Sequence, residues 1–430
     1  MNASLLRERC KEHQIKFLLV SFSDIYGVIR AKLVPVSAID ALLKNGAAFA
    51  GFAAHFNLTP AHPDIVVQPD VATFTPLPWK PGVAWLTGDL YMAGRLLDQS
   101  PRNQLKLNMA QEQAHGRVMK SGVEAEFFLL DPHSLCAGDK SDRYHKPCYD
   151  QSALMRRYDV ISEICESIDT LGWQPYQNDH EDANGQFEIN WAYSDALHTA
   201  DRHTFFKFAV KSIAEKHQLR ASFMPKIFDD LTGNGCHIHC SVWNNDENLF
   251  IDRDYPGKLS PLGMHFIGGI LQNGAAISPL TNPSVNSYKR LNANHTSSGA
   301  TWVSHQLSWS GDNRTHAVRI PGPGRIEYRI PDGAANPYLL QLGILAAGAM
   351  GIENRINPGE PGVAYRDGHD GQGRLPANLR ESLDMLSANS GINAYIGSAL
   401  SESVIALRSQ QWRSYEQSVS QWEHHFTLDC

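Results

Sequence analysis

The sequence predicts an α+β protein built in two parts. Short apolar segments broken by turn residues fill the first hundred positions. Beyond them, strand-like and helical patterns alternate, but not with the regular rhythm of a βαβ wheel. At 430 residues the chain also exceeds the roughly 150 expected of one domain.

Ile15–Ser21 reads as a strand, Asp24-Ile25-Tyr26-Gly27 as a turn and Val28–Val34 as the returning strand. Six prolines between Asn57 and Pro81 (Pro60, Pro63, Pro69, Pro76, Pro78, Pro81) suit loops and edge strands. After Ser100-Pro101-Arg102 a helical pattern runs from Asn103 to about Ser121, so the division falls near residue 102: residues 1–102, then residues 103–430. The second part opens with a strand at Val123–Leu130 and an amphipathic helix at Ala153–Leu171, stopped by Gly172. Strands at Gln174–Gln177 and Gln186–Trp191, a helix at Asp201–His217 and a strand at Cys236–Trp243 follow. A helix at Leu262–Ala276, strands within Thr315–Ile330, a buried helix at Tyr338–Ile352 and a helical tail at Leu379–Trp422 complete the chain. Pro321-Gly322-Pro323-Gly324 lacks the strand–GxGxxG–helix setting of a dinucleotide site.

Composition narrows the function. With 42% apolar, 9% aromatic and 19% charged residues, the chain is too rich in core formers to be disordered. A net charge of −7 without a long Lys/Arg block argues against a nucleic-acid partner. The longest nearly uncharged run, Pro337–Ile352, falls short of the ~20 residues of a membrane span, so no membrane role is expected. The polar start MNASLLRERCKEHQ carries no signal-peptide core, and seven cysteines without a CxxC pair make no disulfide framework. A cytoplasmic enzyme is the expectation.

Four clusters carry the chemistry. In Val123-Glu124-Ala125-Glu126, strand periodicity sends both carboxylates to one face, which alone is as readily a solvated face as a site. Asp179, Glu181 and, after an Asn-Gly turn, Glu188 add a second acidic knot. So many carboxylates suit a hard divalent cation, magnesium or manganese, better than zinc. His237 and His239 share a strand face while Cys236, Ile238 and Cys240 take the other, so the cysteines read as packing residues. The glycine-rich run Gly233-Asn234-Gly235 before that strand lets backbone approach a ligand. Finally Lys289-Arg290, Arg314, Arg319, Arg325 and Arg329 lie in or beside apolar segments, with Glu327 between the last two on one strand face. Arginines hold carboxylate and phosphate oxygens bidentately, and joined to metal-binding acids they are the equipment of phosphoryl transfer.

These motifs, in this order along nearly the whole chain, resemble the glutamine synthetase family. The resemblance rests on Asp24-Ile25-Tyr26-Gly27 with Arg30 and Lys32, Glu-Ala-Glu-Phe, Gly-Gln-Phe-Glu, Gly-Asn-Gly-Cys-His-Ile-His, Asn286-Ser287-Tyr288-Lys289-Arg290, Asn313-Arg314 and Arg325-Ile-Glu-Tyr-Arg-Ile-Pro-Asp. It is nearest the type III bacterial branch, which includes γ-glutamylmethylamide synthetases. It implies a small β-grasp-like N-terminal domain, and a large catalytic domain with a curved antiparallel sheet and packed helices. It also implies two stacked rings of six subunits, with each active site completed by a neighbour. One Mg²⁺ would be held by Glu126, Glu181 and Glu188, and a second by Glu124, His237 and Glu327. Gly233, His237, Arg290 and Arg329 would bind L-glutamate. Arg314 and Arg319 would neutralise the γ-phosphate of the co-substrate ATP, while His239, Ser241 and Arg325 would face the nucleotide. Glutamate would attack ATP to give γ-glutamyl phosphate, and an amine would then displace phosphate.

The chain departs from the family pattern on the amine side. The ammonium-binding aspartate is replaced within Phe49-Ala50-Gly51-Phe52, and Thr296 aligns with the acid of the flap that takes the proton. Thr232 stands where an asparagine usually precedes the glutamate-binding glycine. Loss of two acids slightly favours methylamine, with ammonia the alternative acceptor, and Asp179 is the candidate general base, its alternative reading being a turn acid. Asp367–Arg374 has no tyrosine for adenylylation, so no such control is expected.

Overall fold

Alternating burial decides where each strand goes. The computed structural model describes residues 3–255, 257–293, 296–298, 304, 306–362 and 373–430. The expected regulatory loop, apart from its last two residues, lies outside them.

Phe17–Ser23 and Ile29–Pro35 pair antiparallel around the Asp24–Gly27 turn, as the sequence anticipates. Gly27 occupies the left-handed region at φ 81°, and the Asp24 carboxylate accepts the N–H groups of Tyr26 and Val28, which closes the turn. Val83–Met92 lies parallel to Phe17–Ser23 and antiparallel to Ile65–Pro69, and Ala47–Phe49 completes this mixed sheet.

Two further sheets carry the rest. In one, the strands run Ser194–Asp195, Val118–Ala125, Cys236–Asn244, Arg325–Tyr328, Val318–Gly322 and Trp309–Ser310. In the other they run Pro175–His180, Gln186–Trp191, Phe127–Leu130 and Arg220–Ser222. The α+β class is the one expected.

Several boundaries differ from the sequence reading: the helix expected at Asp201–His217 is Ala196–Lys216, and the one expected at Leu262–Ala276 is Pro261–Thr281. The helix expected over Asn103–Ser121 is Pro101–Ala114; Gly116, at φ 71°, turns the chain, and a strand begins at Val118. Residues 119, 121, 123 and 125 are buried in strict alternation, a period-two pattern hidden by the polar Lys120 and Ser121. Val123–Leu130 is two strands in two sheets, broken at Glu126. The helix expected over Ala153–Leu171 is interrupted at Arg157, which ends Gln151–Arg156 and caps Tyr158–Thr170.

The helices Pro261–Thr281 and Pro337–Glu353, both largely buried, pack against each other. A Cβ on Gly269 would lie 2.1 Å from the carbonyl of Ala347, and one on Gly351 would lie 2.2 Å from that of His265. Glycine at both positions lets the two backbones touch. No described helix is long and apolar enough to cross a membrane.

Candidate active site

Register assembles the first half of the site. His237 stands opposite Glu124, and His239 opposite Glu327, because Cys236–Asn244 is the strand between Val118–Ala125 and Arg325–Tyr328. Arg319 in turn stands opposite Glu327. All five therefore share a sheet face, while Val123, Cys236, Ile238, Cys240 and Ile326 are buried on the other. His239 Nε2 lies 2.9 Å from Glu124 Oε1, and His237 Nδ1 lies 3.4 Å from Glu124 Oε2 and 3.7 Å from Glu327 Oε1. Glu124, His239 and Glu327 each bring a ligand atom within 4.8 Å of the others. His237 sits between this trio and Glu126, whose Oε1 is 3.9 Å from its Nε2.

The second half comes from the other sheet. Asp179 is the direct cross-strand partner of Glu188 in the antiparallel pair Pro175–His180/Gln186–Trp191. Like charges directly opposite oppose pairing, so this register calls for a cation. Glu126, Glu181 and Glu188 form a second trio, again with ligand atoms within 4.8 Å. Its members are held by neutral donors: Gly235 N–H at 2.7 Å and Gln186 Nε2 at 3.1 Å on Glu126, Asp182 N–H at 2.9 Å on Glu181, and Asn190 Nδ2 at 2.8 Å on Glu188. Asp179 Oδ1 is buried without a hydrogen-bond partner.

The electrostatics of the two trios differ. Burial raises Glu124 and Glu327, yet each ends below the ordinary carboxylate range. Hydrogen bonds from His237 and His239 outweigh burial at Glu124, and the charges of Arg329 and His237 outweigh it at Glu327. Arg319 Nη1 donates to Glu327 Oε2 at 2.7 Å, and Arg329 Nη1 donates to Oε1. By contrast, burial pushes Glu181 and Glu188 well above that range, and neighbouring carboxylates push further. Asp179 rises to about 6, by burial first and then by Glu126 and Glu124. Crowded acids of this kind fit a divalent metal. Protonation of such groups supports the metal-free fold at low pH; for Asp179 that support fades between its ordinary 3.8 and about 6. Metal binding needs the ionised forms. A divalent cation should therefore raise the melting temperature more at about pH 7.5 than at about pH 5, as thermal melts with and without chelator would show.

Glu124, Glu126, Asp179, Glu181, Glu188, Gly233, His237, Arg290, Arg314 and Arg329 all line one cavity of about 350 Å³. A neighbouring cavity of about 410 Å³ shares Glu124 and is walled by His239, Ser241, Arg325, Tyr176, Tyr193 and Trp243. Glu327 lies beneath them, fully buried. Arg319 lines neither cavity: it is spent on Glu327 and, through Nε at 2.7 Å, on Asp312. A Cβ on Gly233 would lie 2.2 Å from the carbonyl of Pro225, and one on Gly235 would lie 2.9 Å from Glu126 Oε1, His237 Nε2 and Arg290 Nη2 alike.

Several contributors escape the sequence reading. Tyr176, Tyr193 and Trp243 wall the second cavity; only Trp243 had a signal, as the residue after His237, His239 and Ser241 on the same strand face. Asp142 binds His180 Nε2 at 2.6 Å, Asn184 Nδ2 at 2.8 Å and Gly185 N–H at 2.7 Å, and so shapes the turn between Asp179 and Glu188. No local pattern marks it, because its partners lie 38 to 43 residues away.

Residues 98–427 match the glutamine synthetase catalytic domain. Fold and site are thus those of an ATP-dependent carbon–nitrogen ligase that depends on divalent metal. A glutamine synthetase of Rhizobium leguminosarum bv. phaseoli is 51% identical over 425 residues, spanning 97% of this chain and 98% of the relative. A glutamate–methylamine ligase of Methyloversatilis universalis is 38% identical over 442 residues and 100% of both chains. The solved structure "GmaS/ADP complex-Conformation 1" superposes with a TM-score of 0.95 at 49% identity, over 99% of each chain. The chain belongs to the glutamine synthetase family.

Proposed function

We propose that this protein joins an amine to the γ-carboxylate of L-glutamate, using ATP through γ-glutamyl phosphate, with methylamine the favoured acceptor. What supports the reading is the meeting of Glu126, Glu181 and Glu188 with Glu124 and His237 in one arginine-lined cavity, which shares Glu124 with a second, aromatic one. The amine is argued from the chain's missing acids, Phe49-Ala50-Gly51-Phe52 and Thr296, together with its likeness to a glutamate–methylamine ligase.

Glu126, Glu181 and Glu188 would hold one divalent cation, and Glu124, His237 and Glu327 another, with His239 2.9 Å from the same Glu124 carboxylate. Two such cations, magnesium or manganese by the hardness of their donors, would neutralise phosphate oxygens as charge moves between them. Gly233, Arg290 and Arg329 orient glutamate. Arg314 faces the γ-phosphate, and Arg319 acts from behind by fixing Glu327. His239, Ser241 and Arg325 attend the nucleotide. Asp179, with its unpartnered buried oxygen, takes the proton of the amine as the new C–N bond forms and the bond from carbon to phosphate oxygen breaks. Near-normal amide formation by Asp179→Ala would remove that role.

A second reading, ammonia as the acceptor, is favoured by the 51% identity to a protein named glutamine synthetase. Phosphate release with ammonium, methylamine and ethylamine, compared at equal free-base concentration, separates the two. A large methylamine preference is expected, and a preference for ammonium reverses the assignment. An inactive binding protein would have lost ligands, whereas Glu124, Glu126, Glu181, Glu188, His237 and Glu327 are all present in the sequence. We further propose a division into domains near residue 102, a cytoplasmic location, and a dodecamer of two rings in which a neighbour completes each site. A native mass of one chain would overturn the assembly.

A further inference from the structure

Asp182 stands where three segments meet. Its N–H binds Glu181, and its Oδ2 accepts from Thr232 Oγ1 at 2.5 Å and from Ser298 Oγ at 2.7 Å. These hydroxyls come from loops 50 and 116 residues away along the chain. Ser298 Oγ is also 3.0 Å from Thr296 Oγ1, and Ser297 N–H donates to the carbonyl of Asp230 at 2.7 Å. Asp182 and Ser298 are both buried, so these bonds to a carboxylate are shielded from water and correspondingly strong.

Thr232 and Thr296 line the catalytic cavity, while Asp182 sits behind them. They are also two of the positions at which the chain departs from its family pattern. Thr232 bonds this carboxylate directly and Thr296 reaches it through Ser298, and Asp182 is itself adjacent in sequence to a proposed metal ligand.

We propose that Asp182 is a positioning residue that pins Thr296–Ser298 to the glycine-rich loop at Thr232 and keeps water from the acceptor side of the cavity. The inference rests on the ligase reading above. In productive turnover the amine nitrogen bonds to the γ-carbon, phosphate leaves with the electron pair of the broken C–O bond, and the amine proton passes to a base. Without the latch, water attacks the same carbon. The products are then glutamate and phosphate, and ATP is consumed with no amide formed.

The test measures phosphate and amide together in the full-length enzyme with ATP, glutamate and either methylamine or ammonium. Wild type is expected to release equal amounts. Ser298→Ala and Thr232→Val are each expected to release several-fold more phosphate than amide. For Ser298→Ala the KM for amine should rise roughly tenfold, as befits loss of one hydrogen bond to a charged group, while the KM for glutamate holds. Ser298→Thr, which keeps the hydroxyl, should restore the balance. The thermal shift produced by Mg²⁺ should be unchanged in Ser298→Ala, which separates loosened closure from damage at Glu181. Equal phosphate and amide in both alanine and valine variants, or equal rises in both KM values, overturns the proposal. Wild-type enzyme that forms no amide with any amine overturns the ligase reading, and the latch with it.

Discussion

Glu188→Gln should lower amide formation by about a hundredfold or more, yet raise the stability of the metal-free protein near neutral pH. The two effects have one cause. Glu188 is buried directly opposite Asp179, and Glu124, Glu181 and Glu126 add to the negative charge around it. Ionising it without a cation is costly, and glutamine removes that charge at nearly constant volume. Asn190, whose amide now donates to Glu188 Oε1, can do the same to the new side chain. The same charge is what a divalent ion needs. Its stabilisation of a moving phosphoryl group is worth several kcal/mol, each ~1.4 kcal/mol being tenfold in rate. Melting in chelator at about pH 7.5 and kcat/KM for methylamine would check both effects. Full activity, or a lower melting temperature, would contradict the argument. Glu327→Gln should behave oppositely in stability. Glu327 already has Arg319 and Arg329 as partners, and losing it strands two arginines.

Much of this arrangement is legible in the sequence, for a physical reason. Side-chain alternation along a strand is local, so the common face of His237, His239 and Ser241 follows from spacing alone. The buried strip of Cys236, Ile238 and Cys240 follows in the same way. The break at Glu126 is not local. Ala125 pairs with Cys236 in one sheet and Phe127 with Phe187 in another, and only those partners divide the run. Arg319 illustrates a second limit. Its clustering with other arginines points to anion binding and the family resemblance to the γ-phosphate, but the anion it holds is Glu327, a choice made by cross-strand register. The same holds for Asp142 and Asp182, ordinary polar-loop residues whose partners are brought to them by the fold.

Arg102→Met should destabilise the protein by about 3–5 kcal/mol, the cost of leaving a buried carboxylate unpaired. Arg102 is almost wholly buried and meets three acids. It binds Asp201 through Nε at 2.9 Å and Nη2 at 3.0 Å, Asp89 through Nη1 at 2.6 Å, and Asp70 at 3.3 Å. Asp89 and Asp70 belong to the first sheet and its adjoining turn, whereas Asp201 lies on the helix Ala196–Lys216. Tyr338, at the start of the helix Pro337–Glu353, donates to Asp201 Oδ1 at 2.7 Å. Burial disfavours the Arg102 charge, but Asp201 more than offsets it and holds the guanidinium firmly protonated. Asp89 keeps Lys106 at 2.6 Å when Arg102 is lost, and Asp70 is partly exposed, so most of the cost falls on Asp201. Adding Asp201→Asn to Arg102→Met should recover part of the loss, because the stranded charge is gone. Denaturant midpoints of the wild type, the single variant and the double variant decide the matter. A single variant as stable as wild type would mean that this buried network does not join the first sheet to the helices behind the active site.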